Sequence, residues 1–351
     1  DRLWAADASV RRDFREYLAL DEPLSLLAHY VTATDGVRAF AASAPRNTDD
    51  RPLLEFRAPR NLYAQTLALN VELLNEYKTR LLPEGLSDAV RERAYVAIID
   101  PLLRMDRFDF ASQAVRELAT TRRASDASLY AAAASVTIHT TQFREAEESL
   151  QKSELAAGDA DLYATYREEL RGRLMERRGD RSAAIEHYQR AAQMDPGRPD
   201  YLLSIARLHA FQRQWDEAAR WMQRYIETDP YPIAIYWELL GDYRLAAGRE
   251  SDAVAAFETA LELDPYTFQA RLRLAEYYAQ ADKQDNAIEL LEFLTVYAID
   301  RDPAVYERLA ALYIRQQNRA DAERVLEKGA RIFPTNVAIF KRRQELELLE
   351  D

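Results

Sequence analysis

The chain has 351 residues, no cysteine, and a formal charge of −12 from 47 Lys and Arg against 59 Asp and Glu. These counts exclude disulfides, thiolate metal sites and a cysteine nucleophile. The acidic balance, without any basic cluster interleaved with aromatics, argues against a nucleic-acid ligand. No apolar run approaches the roughly 18–20 residues that cross a bilayer, so direct membrane insertion of this segment is not expected. In chain order, residues 1–60 form a first, non-repetitive section. Helices are predicted over Ala8–Leu20, with Val10, Phe14, Tyr17 and Leu18 on one face, then Asp21–Tyr30 and Asp35–Ser43. A polar loop over 44–52 leads to a short strand candidate at Leu53–Phe56.

Residues 61–160 read as degenerate helical repeats. Leu62–Leu82 is expected to be one long helix ending before Pro83. Ser87–Arg104 pairs with Phe108–Thr121, and Pro101 inside the first of these is expected to kink it. Asp126–Thr140 pairs with Phe143–Ala157, with Ala134 and Ala146 twelve positions apart. Residues 161–336 hold five regular units, and 337–351 a final helix whose Glu-rich end forms a polar cap. A small residue, an Ala twelve positions later and often a Pro twelve after that mark each unit: Gly172–Ala184–Pro196, Ala206–Ala218–Pro230, Gly241–Ala253–Pro265, Ala275–Ala287–Ile299 and Ala310–Ala322–Pro334. The leading small residues stand 34, 35, 34 and 35 positions apart. Small residues let two antiparallel helices approach closely, and Pro ends the second one. Turn residues such as Gly179, Gly248 and Asn318 suit a left-handed helix stop. An interval of 38 between Ala134 and Gly172 marks an insertion near Gly158–Asp161.

This interval and residue code resemble the tetratricopeptide repeat, a helix–turn–helix unit of about 34 residues. The resemblance implies an all-α fold, a right-handed superhelix of helix hairpins, with the first helix of each unit lining a concave face. It also implies which positions line that face. These give a basic end, Arg173, Arg177 and Arg207, and an acidic stripe, Glu238, Asp242, Glu276 and Glu307. Phe211, Leu245 and Ile314 add apolar contact, and Glu169 and Leu272 fall on the same face. A protein or peptide ligand with the opposite charge order is the expected partner; the same charges also read as solvated helix faces. The Lys/Asn clamp by which chaperone-binding members hold a carboxyl terminus is absent from these positions. Trp215, Trp221, Tyr236, Trp237, Tyr243, Phe257, Tyr277 and Tyr278 read as core. His29, His139, His187 and His209 have no metal-ligand spacing, and His187 and His209 read as packing residues. No catalytic triad, phosphate loop or zinc motif is found, so neither an active site nor a cofactor is expected.

Residues 44–60 (APRNTDDRPLLEFRAPR), with Leu3-Trp4, Leu26–Tyr30 and Val37–Phe40 before them, resemble the C-terminal end of the spermidine-synthase-like domain of large bacterial membrane proteins. Some of those proteins carry C-terminal tetratricopeptide repeats. The resemblance implies an aminopropyltransferase-like domain upstream, towards which Asp49, Asp50 and Arg51 would face. The plainer reading is that the two aspartates cap a turn and pair with Arg51 or Arg57. The chain begins at Asp1 without an initiator Met or signal peptide and reads as a fragment or processed form. Three functions follow: a non-catalytic interaction scaffold, the regulatory tail of such an enzyme, or self-association into a homo-oligomer. A cytoplasmic location is expected, tethered to a membrane through an upstream region if the enzyme resemblance holds.

Overall fold

A computed structural model describes residues 81–348, apart from 83–84, 123, 159–160 and 229–232. The helices expected over 8–43, the strand at Leu53–Phe56 and Asp49, Asp50 and Arg51 lie outside the described residues. Of the helix expected over Leu62–Leu82, residues 62–80 lie outside the described residues, and Leu81 and Leu82 are buried and non-helical. The residue before proline is driven out of the α region.

Fifteen α-helices and no strand occur among the described residues. The chain divides into two compact units, Asp1–Pro196 and Gly197–Asp351. The first contains α1 (Asp88–Arg104), α2 (Phe108–Thr120), α3 (Asp126–His139), α4 (Phe143–Leu155), α5 (Ala164–Arg178) and α6 (Arg181–Met194). The second contains α7 (Asp200–Phe211), α8 (Trp215–Thr228), α9 (Ala234–Ala246), α10 (Glu250–Leu263), α11 (Phe268–Gln280), α12 (Gln284–Tyr297), α13 (Pro303–Arg315), α14 (Arg319–Ile332) and α15 (Val337–Leu348). Consecutive helices pack as hairpins: α1 with α2, α3 with α4, α5 with α6, and likewise from α7 to α14.

Every hairpin turn holds one residue at positive φ: Asp106, Thr141 and Gly179 in the first unit, Arg213, Gly248, Asp282 and Gln317 in the second. Their intervals along the chain are 35, 38, 34, 35, 34 and 35. The repeat therefore extends through the region whose sequence had decayed, and the single long interval falls at the expected insertion. In all seven turns the next residue's N–H donates to the carbonyl five residues back, at 2.8–2.9 Å. This is the hydrogen bond that closes a helix through a left-handed residue. In the last turn Gln317, not Asn318, takes that conformation; Asn318 instead caps α14, its side chain accepting from the Asp321 N–H.

The small positions explain how the hairpins close. Ala184, Ala206, Ala218, Ala253, Ala275, Ala287, Ala310 and Ala322 are at most 1% exposed, as are Ala134 and Ala146. A Cβ on Gly241 would stand 2.5 Å from the Phe257 ring, and one on Gly172 would stand 2.7 Å from Tyr188. In these two hairpins an aromatic ring on the second helix fills the space left by a missing side chain on the first.

Helix ends differ from expectation by one or two residues: α2, α3 and α4 stop before Thr121, Thr140 and Ala157. Ser87 is the cap of α1, accepting from the Val90 N–H, rather than its first residue. Pro101 lies inside α1, which continues through it to Arg104. The final helix buries Ile339 and Leu346 against the α13–α14 core while Val337 and Phe340 stay exposed.

Candidate functional site

Among the described residues each unit contains a concavity lined by residues that the repeat pattern singles out. In the first unit it is a polar cavity of about 480 Å³ among α1, α3, α5 and α6. Arg173, one helical turn beyond Glu169 on α5, pairs with that carboxylate and, at 2.8 Å, with Asp100 of α1. The Ser135 hydroxyl donates to Asp100 at 2.5 Å and the Tyr166 hydroxyl at 3.3 Å. Burial pushes the Asp100 carboxyl up, but the Arg173 guanidinium, Ser135 and Arg104 outweigh it and hold the group below its usual value. Arg177 donates to the His139 carbonyl at 3.2 Å, and the Tyr188 hydroxyl donates to Glu176 at 3.0 Å. Burial and then the Arg177 charge push the His139 imidazole down, which favours its neutral form. The cavity is thus a closed polar network, with Arg173 and Glu169 satisfied inside the unit.

In the second unit a groove of about 680 Å³ lies among α7, α8, α9 and α11. Arg207, Ala210 and Phe211 occupy i, i+3 and i+4 on α7; Ile235, Glu238, Leu239 and Asp242 occupy the same spacing on α9. Such positions share one helix face. Trp215, Tyr236 and Tyr243 complete the apolar wall, and Gln269 of α11 closes one side. Phe211 is 71% exposed and Ile235 57% exposed, so both large apolar side chains present most of their surface to solvent. Two carboxylates interrupt this wall. Asp242 is 3.2 Å from Arg273, yet burial still raises its pKa. Glu238 accepts the Ala270 N–H at 2.9 Å; burial, reinforced by the Asp242 charge, raises its pKa too.

The other expected contact residues are placed differently. Glu276 is paired with Arg273 and Arg308, and Glu307 with Arg342. Leu272 is buried in the core, and Ile314 packs against it; Leu245 is exposed but outside the groove. The reading of the aromatics as core fits Phe257 and Tyr243 by burial and Trp237 and Tyr278 by packing against the core, whereas Trp215, Trp221, Tyr236 and Tyr277 stay partly exposed. Trp215, Tyr236 and Tyr243 are groove residues that the sequence reading missed. Their signal was available: Tyr236 and Tyr243 are seven apart on α9, adjacent to its lining face. Among the described residues no group of three or more acidic or histidine side chains could hold a metal ion. No described helix is long and apolar enough to cross a membrane.

Comparison with known proteins identifies the repeats. Two tetratricopeptide repeat family profiles match residues 177–243 and 238–303. No curated protein matches the sequence. Among solved structures, the C-terminal part of a tetratricopeptide repeat-containing protein from Cytophaga hutchinsonii is similar at a TM-score of 0.59 and 18% identity, covering 70% of this chain and 98% of that one. A tetratricopeptide repeat protein from Parabacteroides merdae reaches 0.45 at 18% identity, covering 64% and 87%. YrrB, described as a tetratricopeptide protein with an unusual peptide-binding site, reaches 0.43 at 16%, covering 58% and 97%. The described residues form an all-α fold of tetratricopeptide-type helix hairpins, and residues 177–303 carry tetratricopeptide repeats.

Proposed function

We propose that this chain is a non-catalytic protein-interaction scaffold, and that the groove of its second unit holds a polypeptide segment of a partner. The observation that carries the reading is the pair of largely exposed apolar side chains, Phe211 and Ile235, lining a 680 Å³ aromatic-walled groove. Large apolar side chains left in water at a concave site lose little ordering entropy when a partner covers them, because helices already hold them in place. Arg207, Glu238 and Asp242, on the same two helix faces, set polar limits on what enters. Arg177, at the mouth of the first unit's cavity, offers a further cationic contact, whereas Arg173, Glu276 and Glu307 act mainly by holding neighbouring helices in register.

The test replaces Phe211 by a photo-crosslinking phenylalanine analogue in the whole chain. Crosslinked protein should disappear when Ile235→Asp is added, with helix content unchanged by circular dichroism. Crosslinking that is indifferent to Ile235→Asp would remove the groove from the interaction surface.

A further inference from the structure

The groove also constrains the charge of its occupant. Of the carboxylates expected to face a partner, Asp242, Glu276 and Glu307 each have an arginine partner within the second unit. Glu238 makes no ion pair among the described residues, the Arg301 charge acting on it only from beyond ion-pair distance; its one hydrogen bond there is to the Ala270 backbone N–H. Its side chain is half-buried on α9, between the exposed Ile235 one turn earlier and Asp242 one turn later. Much of its hydration is already lost, and the nearest added charge on its own helix is of the same sign. Covering the groove with a neutral or acidic segment would strip the remaining water from Glu238 without compensation. A cation placed there would meet a carboxylate in a medium of lowered dielectric, where the attraction is several times stronger than in bulk water.

Arg207, on the α7 side, also has no ion pair among the described residues, but it is exposed. It keeps its hydration at little cost, so an acid opposite it adds only as much as a surface pair does. The asymmetry between a half-buried acid and a solvated base decides the sign of the ligand.

Resting on the groove reading above, we propose that the occupant is a segment of another protein that seats an aromatic or long aliphatic side chain against Phe211 and Ile235 and presents a Lys or Arg to Glu238. With Oε1 engaged by Ala270, one carboxylate oxygen remains for the incoming cation, which suits either Lys or Arg.

The test is selection of random dodecapeptides displayed on phage against the whole chain, counter-selected on the Phe211→Ala variant. Enriched sequences should combine an aromatic or large aliphatic residue with Lys or Arg. For the best synthetic peptide, Glu238→Gln should weaken binding about tenfold, as expected for a close charge pair, and should reduce its salt sensitivity. Circular dichroism and thermal melting of the variant should match the parent. Enrichment of acidic or uncharged apolar peptides, or Glu238→Gln without effect, would overturn the cation proposal while leaving the groove reading in place. Absence of any peptide that distinguishes the parent from Phe211→Ala would overturn both. If the chain instead sediments as a dimer that Phe211→Ala dissociates, a second copy fills the groove and the cationic-partner proposal falls.

Discussion

The polar cavity of the first unit and the groove of the second are built on the same repeat, yet their charges do opposite things. Asp100, Arg173 and Glu169 find their partners inside the unit: Arg173 bridges Asp100 and Glu169, and two hydroxyls complete the Asp100 shell. In the groove, Glu238 makes no ion pair among the described residues and Phe211 is largely exposed. A row of charges in a sequence therefore does not say whether it faces a partner or ties one helix to another. What separates the two cases is whether complementary groups arise from neighbouring helices.

The largest expected difference is in stability. Asp100→Ala would leave Arg173 partly buried with Glu169 alone and strip the Ser135 and Tyr166 hydroxyls of their acceptor. Removing one member of a fully buried pair costs about 3–5 kcal/mol; here both side chains are partly exposed and Arg173 keeps Glu169, so calorimetry should show the first unit destabilised by the lower end of that range or less. Glu238→Gln, by contrast, should leave unfolding unchanged or slightly raise its midpoint, because it removes a charge that burial disfavours. Equal losses from both substitutions would erase the distinction.

A similar but smaller loss tests the hairpin packing. Gly241→Leu forces carbon atoms into the space of the Phe257 ring, and Ala253→Leu or Ala287→Leu overpacks the matching fully buried positions. Overpacking costs about 1–3 kcal/mol, with Gly241→Leu at the upper end. Unchanged thermal melting of these variants would show that the repeat register is misplaced.

Acidification should separate the units with opposite signs. Burial raises Glu168, but His187, Arg190 and Arg171 lower it further, to about 2 from the usual 4.5. A carboxyl depressed in the folded state contributes stability above its unfolded value and loses it as pH falls from about 4.5 towards 2. Asp100 acts in the same direction. Glu238 and Asp242 are raised, so their ionisation opposes folding, and protonation relieves this as pH falls through their folded values. Hydrogen-exchange protection measured at neutral pH and near pH 4 should therefore fall around α5 and hold or rise around α9.

The smallest stability effect belongs to Phe211→Ala. A side chain 71% exposed contributes little to folding, so the change should stay within about 0.5 kcal/mol while partner binding is lost.

Much of the fold was legible because the small positions obey close packing: Gly172, Ala206, Gly241, Ala275 and Ala310 announce each hairpin. The earlier repeats were harder to read. Their turns hold Asp106 and Thr141 in the left-handed conformation and, as at Arg213, Asp282 and Gln317, composition gave no hint of it; in the earlier repeats the spacing of small residues was also blurred. For the site, Arg207, Phe211, Glu238 and Asp242 were readable from repeat spacing and do converge on one groove. The fate of Arg173 was not readable, because its partner Asp100 lies 73 positions earlier, in a repeat whose register the sequence had blurred. Trp215, Tyr236 and Tyr243 were assigned to the core because aromatic residues usually pack there. Only the three-dimensional arrangement shows them lining a concavity.

The central claim is that partners dock in the groove of the second unit. Its most direct test is hydrogen exchange over the whole chain with and without the best selected dodecapeptide. The expected result is added protection in α7 and α9, spanning Arg207–Phe211 and Ile235–Asp242, with α1, α3 and α5 unchanged. Protection confined to α1, α3 and α5, around Arg177 and His139, would contradict the claim and move the docking surface to the first unit's polar cavity.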